Sequence, residues 1–200
     1  MFNFNNNPKL IYDNIKELLS EGVINRKHAF HTPVFSNINN NFVASRIVVL
    51  RKFDSDNMSI NFHTDYRSPK IKNLNKNTNS KFIFYDTKLK LQLRIKTISK
   101  INNQNNITKE AWENTKLISR KCYLTEKSPS SESELPQDGI PLSLVGIEPT
   151  KKESEKGYKN FAVIQNSILE IDWLYLNFKG HRRLKIKLEN NNASFKWLIP

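Results

Sequence analysis

The sequence has few of the residues on which many active sites depend. Its 200 residues include one cysteine, Cys122, which excludes an internal disulfide and a cysteine-cluster metal site. Five glycines leave little room for a glycine-rich phosphate loop, and neither the P-loop nor the dinucleotide-binding fingerprint is present. Four scattered histidines form no His-Glu-x-x-His motif, so no metal centre is expected.

Long apolar segments are also missing. No apolar run approaches the roughly 18–20 residues that a membrane-spanning helix needs. The N-terminal sequence MFNFNNNPKL has neither the basic region nor the apolar core of a signal peptide. We therefore expect a cytoplasmic protein with no membrane partner. The chain also shows no Ser/His/Asp set and no G-x-S-x-G elbow for nucleophilic catalysis.

Positive charge, by contrast, is in excess. The chain has 32 Lys+Arg against 19 Asp+Glu, a formal net charge of +13. Such a balance suits a polyanion, a phosphate ligand or a lysine-rich proteome. Because the basic residues are spread along the chain, a solvated basic surface is the simpler account. With 38% hydrophobic residues, the composition indicates one globular domain over residues 1–200.

The apolar periodicity predicts a mostly β chain with flanking helices, an α+β fold class. Asn7-Pro8 can cap a helix of about residues 8–20. Strands are expected at 30–36, 42–52, 58–64, 81–86, 89–100, 158–165, 167–176, 182–188 and 193–198, with turns at 165–166 and around 189–192. Further helices are expected at 68–75 and 108–123, and residues 125–157 form a long polar loop. Antiparallel strands in this succession are typical of a small barrel.

The stretch Ser68-Pro69-Lys70 directly follows a predicted strand. Serine is a favoured N-cap and proline is favoured at the first helical position, so these residues begin a short helix. One interpretation is a capped surface helix with Ile71 and Leu74 on its apolar side. The other is an anion site, because a helix N-terminus has free N–H groups and a positive dipole, and here a lysine and a hydroxyl stand beside them.

Polar residues also interrupt strands that are otherwise apolar. Alternation divides the segment 44–51 into two faces, Ala44, Arg46, Val48 and Leu50 against Ser45, Ile47, Val49 and Arg51. Arg46 either has an anionic partner or lies at an edge where its side chain reaches water. Gln92 either finds hydrogen-bond partners or faces solvent at a barrel end. His63 is a base, a ligand or an ordinary strand residue.

The order of the short motifs is more specific than any one of them. Along the chain come RIVVLR (46–51), NFHT (61–64), SPK (68–70), FIFY (82–85), LQLRI (91–95), EIDWL (170–174), HRR (181–183) and WLIP (197–200). This order resembles the pyridoxamine 5′-phosphate oxidase-like flavoproteins, in particular a divergent, cyanobacterial-type branch. The resemblance covers about residues 30–100 well, 158–200 more loosely and 100–157 thinly. It implies the FMN-binding split β-barrel, an antiparallel fold of Greek-key type.

The resemblance implies FMN as the cofactor and assigns binding residues to it. They are Arg46, Ile47, Val48, Val49, Leu50, Arg51, His63, Thr64, Ser68, Lys70 and Gln92. Arg46, Ser68 and Lys70 would hold the FMN phosphate, and the backbone of 47–50 would lie along the isoalloxazine ring. Arg51 and Arg182 would stand on the substrate side. Pro69 replaces an arginine of the family motif, and Arg67 is a candidate to take over its phosphate contact.

Two departures argue against pyridoxamine 5′-phosphate oxidation itself. The family's Tyr…Arg…Ser set for the substrate phosphate cannot be placed in residues 108–135, and Leu184 and Ile186 stand where a late His and an Arg are expected. We predict an FMN-dependent oxidoreductase acting on another small molecule, with no catalytic residue assigned. It would be a homodimer, with Trp173 and Leu174 as interface candidates.

Two alternatives belong to other classes of protein. One is a flavin-binding or carrier protein without turnover, which would keep the phosphate cradle and lack the substrate residues. The other is a nucleic-acid-binding β-barrel that uses the +13 charge with exposed aromatic side chains. No aromatic-rich basic motif supports the nucleic-acid alternative.

Overall fold

A curled antiparallel sheet forms the centre of the structure, a computed structural model that describes residues 6–189 and 192–200. The strands are β1 (Val34–Asn39), β2 (Phe42–Ile47), β3 (Lys52–Asp54), β4 (Ser59–Asp65), β5 (Asn79–Asp86), β6 (Leu91–Asn103), β7 (Phe161–Tyr175), β8 (Arg182–Glu189) and β9 (Asn192–Leu198). The α-helices of the described residues are α1 (Pro8–Ile24), α2 (Pro69–Lys76), α3 (Asn106–Glu113), α4 (Leu117–Arg120) and α5 (Lys151–Glu155). Short 3₁₀ turns lie at Ala29–His31, Lys121–Tyr123, Leu142–Leu144 and Tyr158–Asn160.

The strand order places neighbours from distant parts of the chain side by side. It runs β2-β1-β5-β6-β7-β4-β3, and β8 and β9 extend the sheet from β7. Each pairing is antiparallel, and Phe35 of β1 meets Phe62 of β4 across the interior with ring centroids 4.8 Å apart. The sheet is therefore a split barrel that curls without closing. The predicted fold class, mostly β with flanking helices, is confirmed.

The segment 48–51 crosses between the two edges of the curled sheet. The N–H groups of Val48 and Leu50 donate to the carbonyls of Pro33 and His31 at 3.0 and 2.8 Å, while the N–H of Arg51 donates to Asn61 on the other edge at 2.9 Å. The predicted strand 42–52 is therefore divided into β2 and β3. The predicted alternation of faces is nevertheless correct, because Val48 and Leu50 are buried and Arg51 is exposed.

The main core fills the inside of the curled sheet. Its largest fully buried side chains are Trp173, Phe30, Phe35, Phe62, Phe82 and Phe84, with Ile11, Ile15 and Leu19 of α1 packed against them. Ile71 and Leu74 add the apolar side of α2, as its sequence pattern predicts. The helix α2 is thereby fixed at one end of the barrel.

A second, smaller core lies where α3 packs against β7. Trp112, Tyr123, Phe161 and Val163 form it. The predicted helix 108–123 is broken into α3, α4 and a 3₁₀ turn. At the break, Arg120 is buried and donates to the carbonyl oxygen of Trp112 at 2.8 Å, which also accepts from the N–H of Thr115 at 2.9 Å.

The predicted turn at 165–166 is wrong, because β7 runs through it without interruption. Asn166 is fully buried inside the strand. Its Oδ1 accepts from the Ser99 hydroxyl at 2.7 Å, and its Nδ2 donates to the carbonyls of Ile60 and Ile164 at 2.8 and 3.0 Å. A turn-forming residue is thus accommodated in a central strand because all its polar atoms find partners there.

We expect Asn166→Leu to destabilise the protein by about 2 kcal/mol, because the Ser99 hydroxyl and the Ile60 carbonyl then lose a partner inside the core. Urea unfolding followed by tryptophan fluorescence measures the change. Gln165→Leu, one residue earlier and only partly buried, is the matched control and should cost much less. Equal losses would show that the Asn166 hydrogen bonds contribute nothing special.

Other predicted boundaries shift without changing the architecture. The N-terminal helix runs to Ile24, and the polar stretch 125–157 contains the turn Leu142–Leu144 and the helix α5. The centre of the predicted turn around 189–192, residues 190 and 191, lies outside the described residues, as do residues 1–5 of the N-terminal stretch. Within the described ranges, no helix has both the length and the apolar character needed to cross a membrane.

Candidate functional site

Lys70 lies at the start of α2 with its ammonium group turned toward the barrel. Its Nζ donates to Thr64 Oγ1 at 2.8 Å and to Ser68 Oγ at 3.0 Å. Ser68 occupies the N-cap position with Pro69 next to it, as predicted, but its side chain makes no capping hydrogen bond. The hydroxyl is directed to Lys70 instead, so Lys70, Ser68 and Thr64 form one polar cluster at the helix N-terminus.

Arg46 reaches the same end of the barrel from the inner face of β2. Its guanidinium donates to the side-chain oxygen of Asn37 and to the carbonyl of Ala44, the latter at 2.8 Å, and it lies 5.7 Å from the ring of Phe35. All three partners are neutral. The sequence allowed either an anionic partner or an edge position for Arg46. Among the described residues, no carboxylate pairs with its guanidinium.

The two cations are close enough to affect each other. Burial, with the nearby charge of Arg46 and against the attraction of Asp65, lowers the pKa of Lys70 to about 8. Burial also lowers the pKa of Arg46. In the described parts of the chain neither side chain forms an ion pair with a carboxylate. Two half-buried cations beside a helix N-terminus and two hydroxyls constitute a site that lacks negative charge, which is what a phosphate group supplies.

Arg51 and His63 belong to a different feature, a cleft of about 380 Å³ at the other end of the segment 46–51. The cleft lies between the β3–β4 edge and α3. It is lined by Val23, Arg26, Leu50, Arg51, Lys52, Asn61, His63, Ile107, Glu110, Ala111, Asn114, Thr115, Lys116, Ser119 and Val163. Most of the α3 and α4 lining residues carried no signal in the sequence, because only the fold brings them opposite β4.

His63 is held in its neutral form. Its ring packs edge-on against Phe161 with centroids 4.8 Å apart. Burial, helped by the positive charge of Arg51, lowers the pKa of His63 to about 4. At neutral pH the imidazole can therefore donate or accept a hydrogen bond in the cleft, but it carries no charge.

This pKa makes the stability of the fold pH-dependent. Between the ordinary value of 6.5 and about 4, the unfolded chain binds a proton at His63 that the folded chain does not. Stability is therefore full above the unfolded pKa and falls by up to about 3 kcal/mol as the pH drops through this window. We expect His63→Gln to lose this part of the pH dependence in urea unfolding at a series of pH values. Identical curves for both proteins would contradict the assignment.

The remaining predicted flavin residues fall on different sides of the sheet. Val48 and Leu50 point into the core, Val49 is half-buried and Ile47 is 69% exposed on the outer face. Gln92 also lies on the outer face, in register with Tyr85 and Leu174. Within one chain Gln92 is therefore separated by the sheet from Arg46, which lies on the inner face.

Arg182 and Arg67 both have hydrogen-bond partners within the chain. Arg182 is exposed and donates to the carbonyls of Gly180 and His181. Arg67 pairs with Asp65 at 2.7 Å and donates to the carbonyl of Thr125 at 3.0 Å. The hypothesis that Arg67 replaces the missing phosphate contact at position 69 is not supported, since its guanidinium is already occupied.

Side chains along β8 alternate between the core and the outer face of the sheet. Leu184 and Ile186 are fully buried in the main core. Arg183 lies on the outer face, where it and Arg94 contact the carboxylate of Asp172 at 2.8 and 2.6 Å. On the outer face Arg183 is in register with Leu174, which pairs with Gln92 on its other side. Alternation along β8 was the signal that could have found it.

The described residues contain no group of three or more His, Cys, Asp or Glu side chains arranged to hold a metal ion. The titratable side chains of the Arg46–Lys70 cluster and of the cleft are lysines and arginines, one acid, Glu110, and the neutral imidazole of His63. The site is therefore suited to anion binding and to hydrogen bonding.

A comparison with protein families matches part of the chain. Residues 13–102 match the family described as "Pyridoxamine 5'-phosphate oxidase, FMN-binding domain". This range contains Arg46, Arg51, His63, Lys70 and Gln92. No curated protein sequence matches the chain.

Solved structures share the fold over nearly the whole chain. A pyridoxamine 5′-phosphate oxidase-related, FMN-binding protein from Nostoc punctiforme has a TM-score of 0.74 at 16% identity, covering 94% of this chain and 96% of that one. PhzG from Burkholderia lata, solved with tetrahydrophenazine-1-carboxylic acid, has a TM-score of 0.73 at 14% identity, covering 100% and 98%. At these identities the similarity shows the fold alone, so the cyanobacterial-type branch stays a prediction. The two findings agree: the chain has the split-barrel fold of pyridoxamine 5′-phosphate oxidase-related proteins, and its residues 13–102 match the FMN-binding domain family named for that oxidase.

Proposed function

We propose that the protein binds FMN and that Arg46, Ser68 and Lys70, with Thr64, hold the phosphate. The observation that carries the proposal is the pair of half-buried cations without a carboxylate partner in the described chain. A phosphate monoester brings between one and two negative charges near neutral pH. It would offset the repulsion between Arg46 and Lys70, and its oxygens would accept from their N–H groups and from the two hydroxyls.

The segment 47–50, between the Arg46–Lys70 cluster and the cleft, offers a binding surface for the flavin ring. The N–H groups of Val48, Leu50 and Arg51 are bonded within the protein, whereas the N–H and carbonyl of Val49 have no hydrogen-bond partner among the described residues. A flavin ring along this backbone would satisfy them. When bound, FMN supplies the redox chemistry, and the protein contributes binding and orientation.

Titration of the flavin-free protein with FMN and with riboflavin tests the proposal. We expect FMN to bind with quenching of its fluorescence and riboflavin to bind roughly a thousandfold more weakly, because it lacks the phosphate that both Arg46 and Lys70 would contact. Absence of quenching by a folded protein would exclude FMN binding. Equal affinities for FMN and riboflavin would mean that Arg46 and Lys70 do not contact the phosphate.

We further propose an oxidoreductase whose substrate is not pyridoxamine 5′-phosphate. The α3 wall of the cleft presents Glu110, Ala111 and Asn114, which is not a phosphate-holding set. PhzG, with the same fold, was solved with a carboxylic acid rather than a phosphate ester. Incubating the FMN-loaded protein with pyridoxamine 5′-phosphate and oxygen should give no pyridoxal 5′-phosphate, and rapid formation of that product would refute the proposal.

A flavin carrier without turnover is the second candidate. It is favoured by the burial of Leu184 and Ile186, which leaves the expected late His and Arg positions without a functional side chain. Anaerobic mixing of the FMN-loaded protein with candidate substrates separates the two functions. Bleaching of the flavin absorbance by any of them supports an oxidoreductase, whereas a carrier would show none.

We propose that the protein is a homodimer, as members of this family commonly are. The outer face of β1, β2 and β5 carries several exposed apolar side chains, divided by the polar row of Ser36, Ser45 and Lys81. The apolar side chains are Ile38, Val43, Ile47, Ile83 and Tyr85, which the strand register places on one face. Apolar surface of this kind marks an interaction site. Trp173, considered from the sequence as an interface residue, is buried in the core of its own chain instead.

The dimer proposal also bears on Gln92. Gln92 lies beside this apolar face, next to Tyr85 in the register, and away from the Arg46 of its own chain. A partner chain seated on the face would bring its own flavin residues near Gln92.

A cytoplasmic location is likewise a proposal, and cell fractionation with detection of the protein tests it.

A further inference from the structure

Asp65 brings a carboxylate close to the proposed phosphate site. It is the last residue of β4, directly after Thr64, and it is 7% exposed. Burial and the charge of Arg46 lower the pKa of Lys70, and Asp65 is close enough for its charge to act in the opposite direction. A carboxylate of the protein at this position can compete with any anion that Lys70 would bind.

Lys70 has a donor left for one more partner. Its ammonium group has three N–H donors, and two of them are directed to Thr64 Oγ1 at 2.8 Å and to Ser68 Oγ at 3.0 Å. The third donates to no described residue. If Asp65 were free to turn, an ion pair with Lys70 would be the expected arrangement, since a buried carboxylate needs a partner.

Arg67 holds the carboxylate of Asp65 instead. Its Nη2 donates to Asp65 Oδ2 at 2.7 Å and its Nε donates to Oδ1 at 3.1 Å, so one planar guanidinium binds both oxygens. The backbone N–H of Arg67 also donates to Oδ1, at 2.8 Å. With both oxygens directed to Arg67, no ion pair forms between Asp65 and Lys70.

The remaining donors of Arg67 are bound by a distant part of the chain. Nη1 donates to the carbonyl of Thr125 at 3.0 Å, and Nη2 donates to the Thr125 hydroxyl at 2.9 Å. With the carbonyl of Glu126 at 3.4 Å, the five N–H groups of the guanidinium have five acceptors. The guanidinium is therefore fixed in place and has no donor left for a phosphate.

We propose that Arg67 is a positioning residue, which keeps Lys70 available to the phosphate of FMN by holding the carboxylate of Asp65. Arg67 itself contacts neither the phosphate nor the flavin. The part of this inference that concerns FMN rests on the proposed function, whereas the effect of Arg67 on the charge of Lys70 does not. The role suits an arginine, because one planar fork holds the carboxylate and Thr125 at the same time.

The affinities of flavin-free variants for FMN and riboflavin test the proposal. In Arg67→Met the released carboxylate of Asp65 pairs with Lys70, and we expect FMN to bind about tenfold more weakly while riboflavin affinity is unchanged. Asp65→Asn/Arg67→Met also removes the competing charge and should bind FMN within about threefold of the wild type. A purely structural role predicts the opposite, a double variant at least as weak as the single one.

Arg120→Met is the matched control. Arg120 also pairs with a carboxylate, that of Glu155 at 2.8 Å, but on α4 and α5. Its loss should lower stability without changing the ratio of FMN to riboflavin affinity. An equal loss of both ligands in Arg67→Met overturns the proposal. A folded double variant that binds FMN about tenfold more weakly than the wild type also overturns it, even where the single variant does not fold.

A measurement without flavin separates this inference from the proposed function. The rate of acetylation of Lys70 at a series of pH values, followed by mass spectrometry, gives the pKa of its amine. This pKa should be about 8 in the wild type and rise toward the ordinary 10.5 in Arg67→Met, with no such rise in Asp65→Asn/Arg67→Met. If Lys70 responds in this way and FMN does not bind, only the proposed function fails. If FMN binds and the pKa of Lys70 is the same in the three proteins, only this inference fails.

Discussion

An Arg46→Met/Lys70→Met variant is expected to lose affinity for FMN by roughly a thousandfold while its affinity for riboflavin changes little. Each charge-assisted contact to a phosphate is worth roughly 10- to 100-fold in affinity, and the variant removes two of them. Lys70→Met alone should cost at least half of this in free energy, because it removes one phosphate contact and also the repulsion with Arg46 that a bound phosphate would offset. Fluorescence titration of wild type and both variants with the two ligands measures the effect.

The stability of the ligand-free variants distinguishes binding from folding. Removing two cations that repel each other should leave the free energy of unfolding unchanged or raise it, although Asn37 loses the arginine that donates to it. Lys72→Met, an exposed lysine two residues along α2, is the matched control and should bind FMN normally. A parallel loss of FMN and riboflavin affinity would show that Arg46 and Lys70 support the fold instead of the phosphate.

Ile47→Asp is expected to convert the proposed dimer to a monomer. Ile47 is 69% exposed in the chain and lies on the outer apolar face at the end of β2, in register with Val34. In a two-fold symmetric dimer the variant places two carboxylates in one apolar interface, which weakens association by more than about a hundredfold. Analytical ultracentrifugation should give twice the chain mass of 23.4 kDa for the wild type and the single chain mass for the variant.

Phe42→Asp provides the matched control for the dimer. Phe42 is 78% exposed on the same strand, but alternation places its side chain on the opposite face. This variant should remain a dimer. If the wild type sediments as a monomer, or if Phe42→Asp and Ile47→Asp dissociate equally, the outer face of β1, β2 and β5 is not the interface.

Local pattern was enough to predict the parts of the site that lie close together in sequence. Alternation correctly placed Arg46 and Arg51 on opposite faces, and N-terminal helix preferences correctly placed the start of α2 after Ser68. These features depend on period-two geometry and on the chemistry of one helix end, both of which the sequence states directly. The meeting of Thr64 with Lys70 follows for the same reason, since six residues separate them.

Features that depend on distant contacts could not be predicted in this way. Asn166 has the profile of a turn residue, and only its partners Ser99 and Ile60, far away in the chain, make it a strand residue. Arg67 was a reasonable phosphate candidate until the fold brought Thr125 beside it. The cleft is similar, because the position of Asn61 opposite α3 is a property of the folded barrel.

The central claim is that Arg46 and Lys70 bind the phosphate of FMN, and a crystal structure of the protein with FMN tests it most directly. We expect phosphate oxygens within about 3 Å of Lys70 Nζ and of the Arg46 guanidinium, with the Ser68 hydroxyl as a further donor. The N–H of Val49 should face the flavin ring. A phosphate bound elsewhere, for example beside Arg51 in the cleft, with Arg46 and Lys70 still without an anion, would contradict the account.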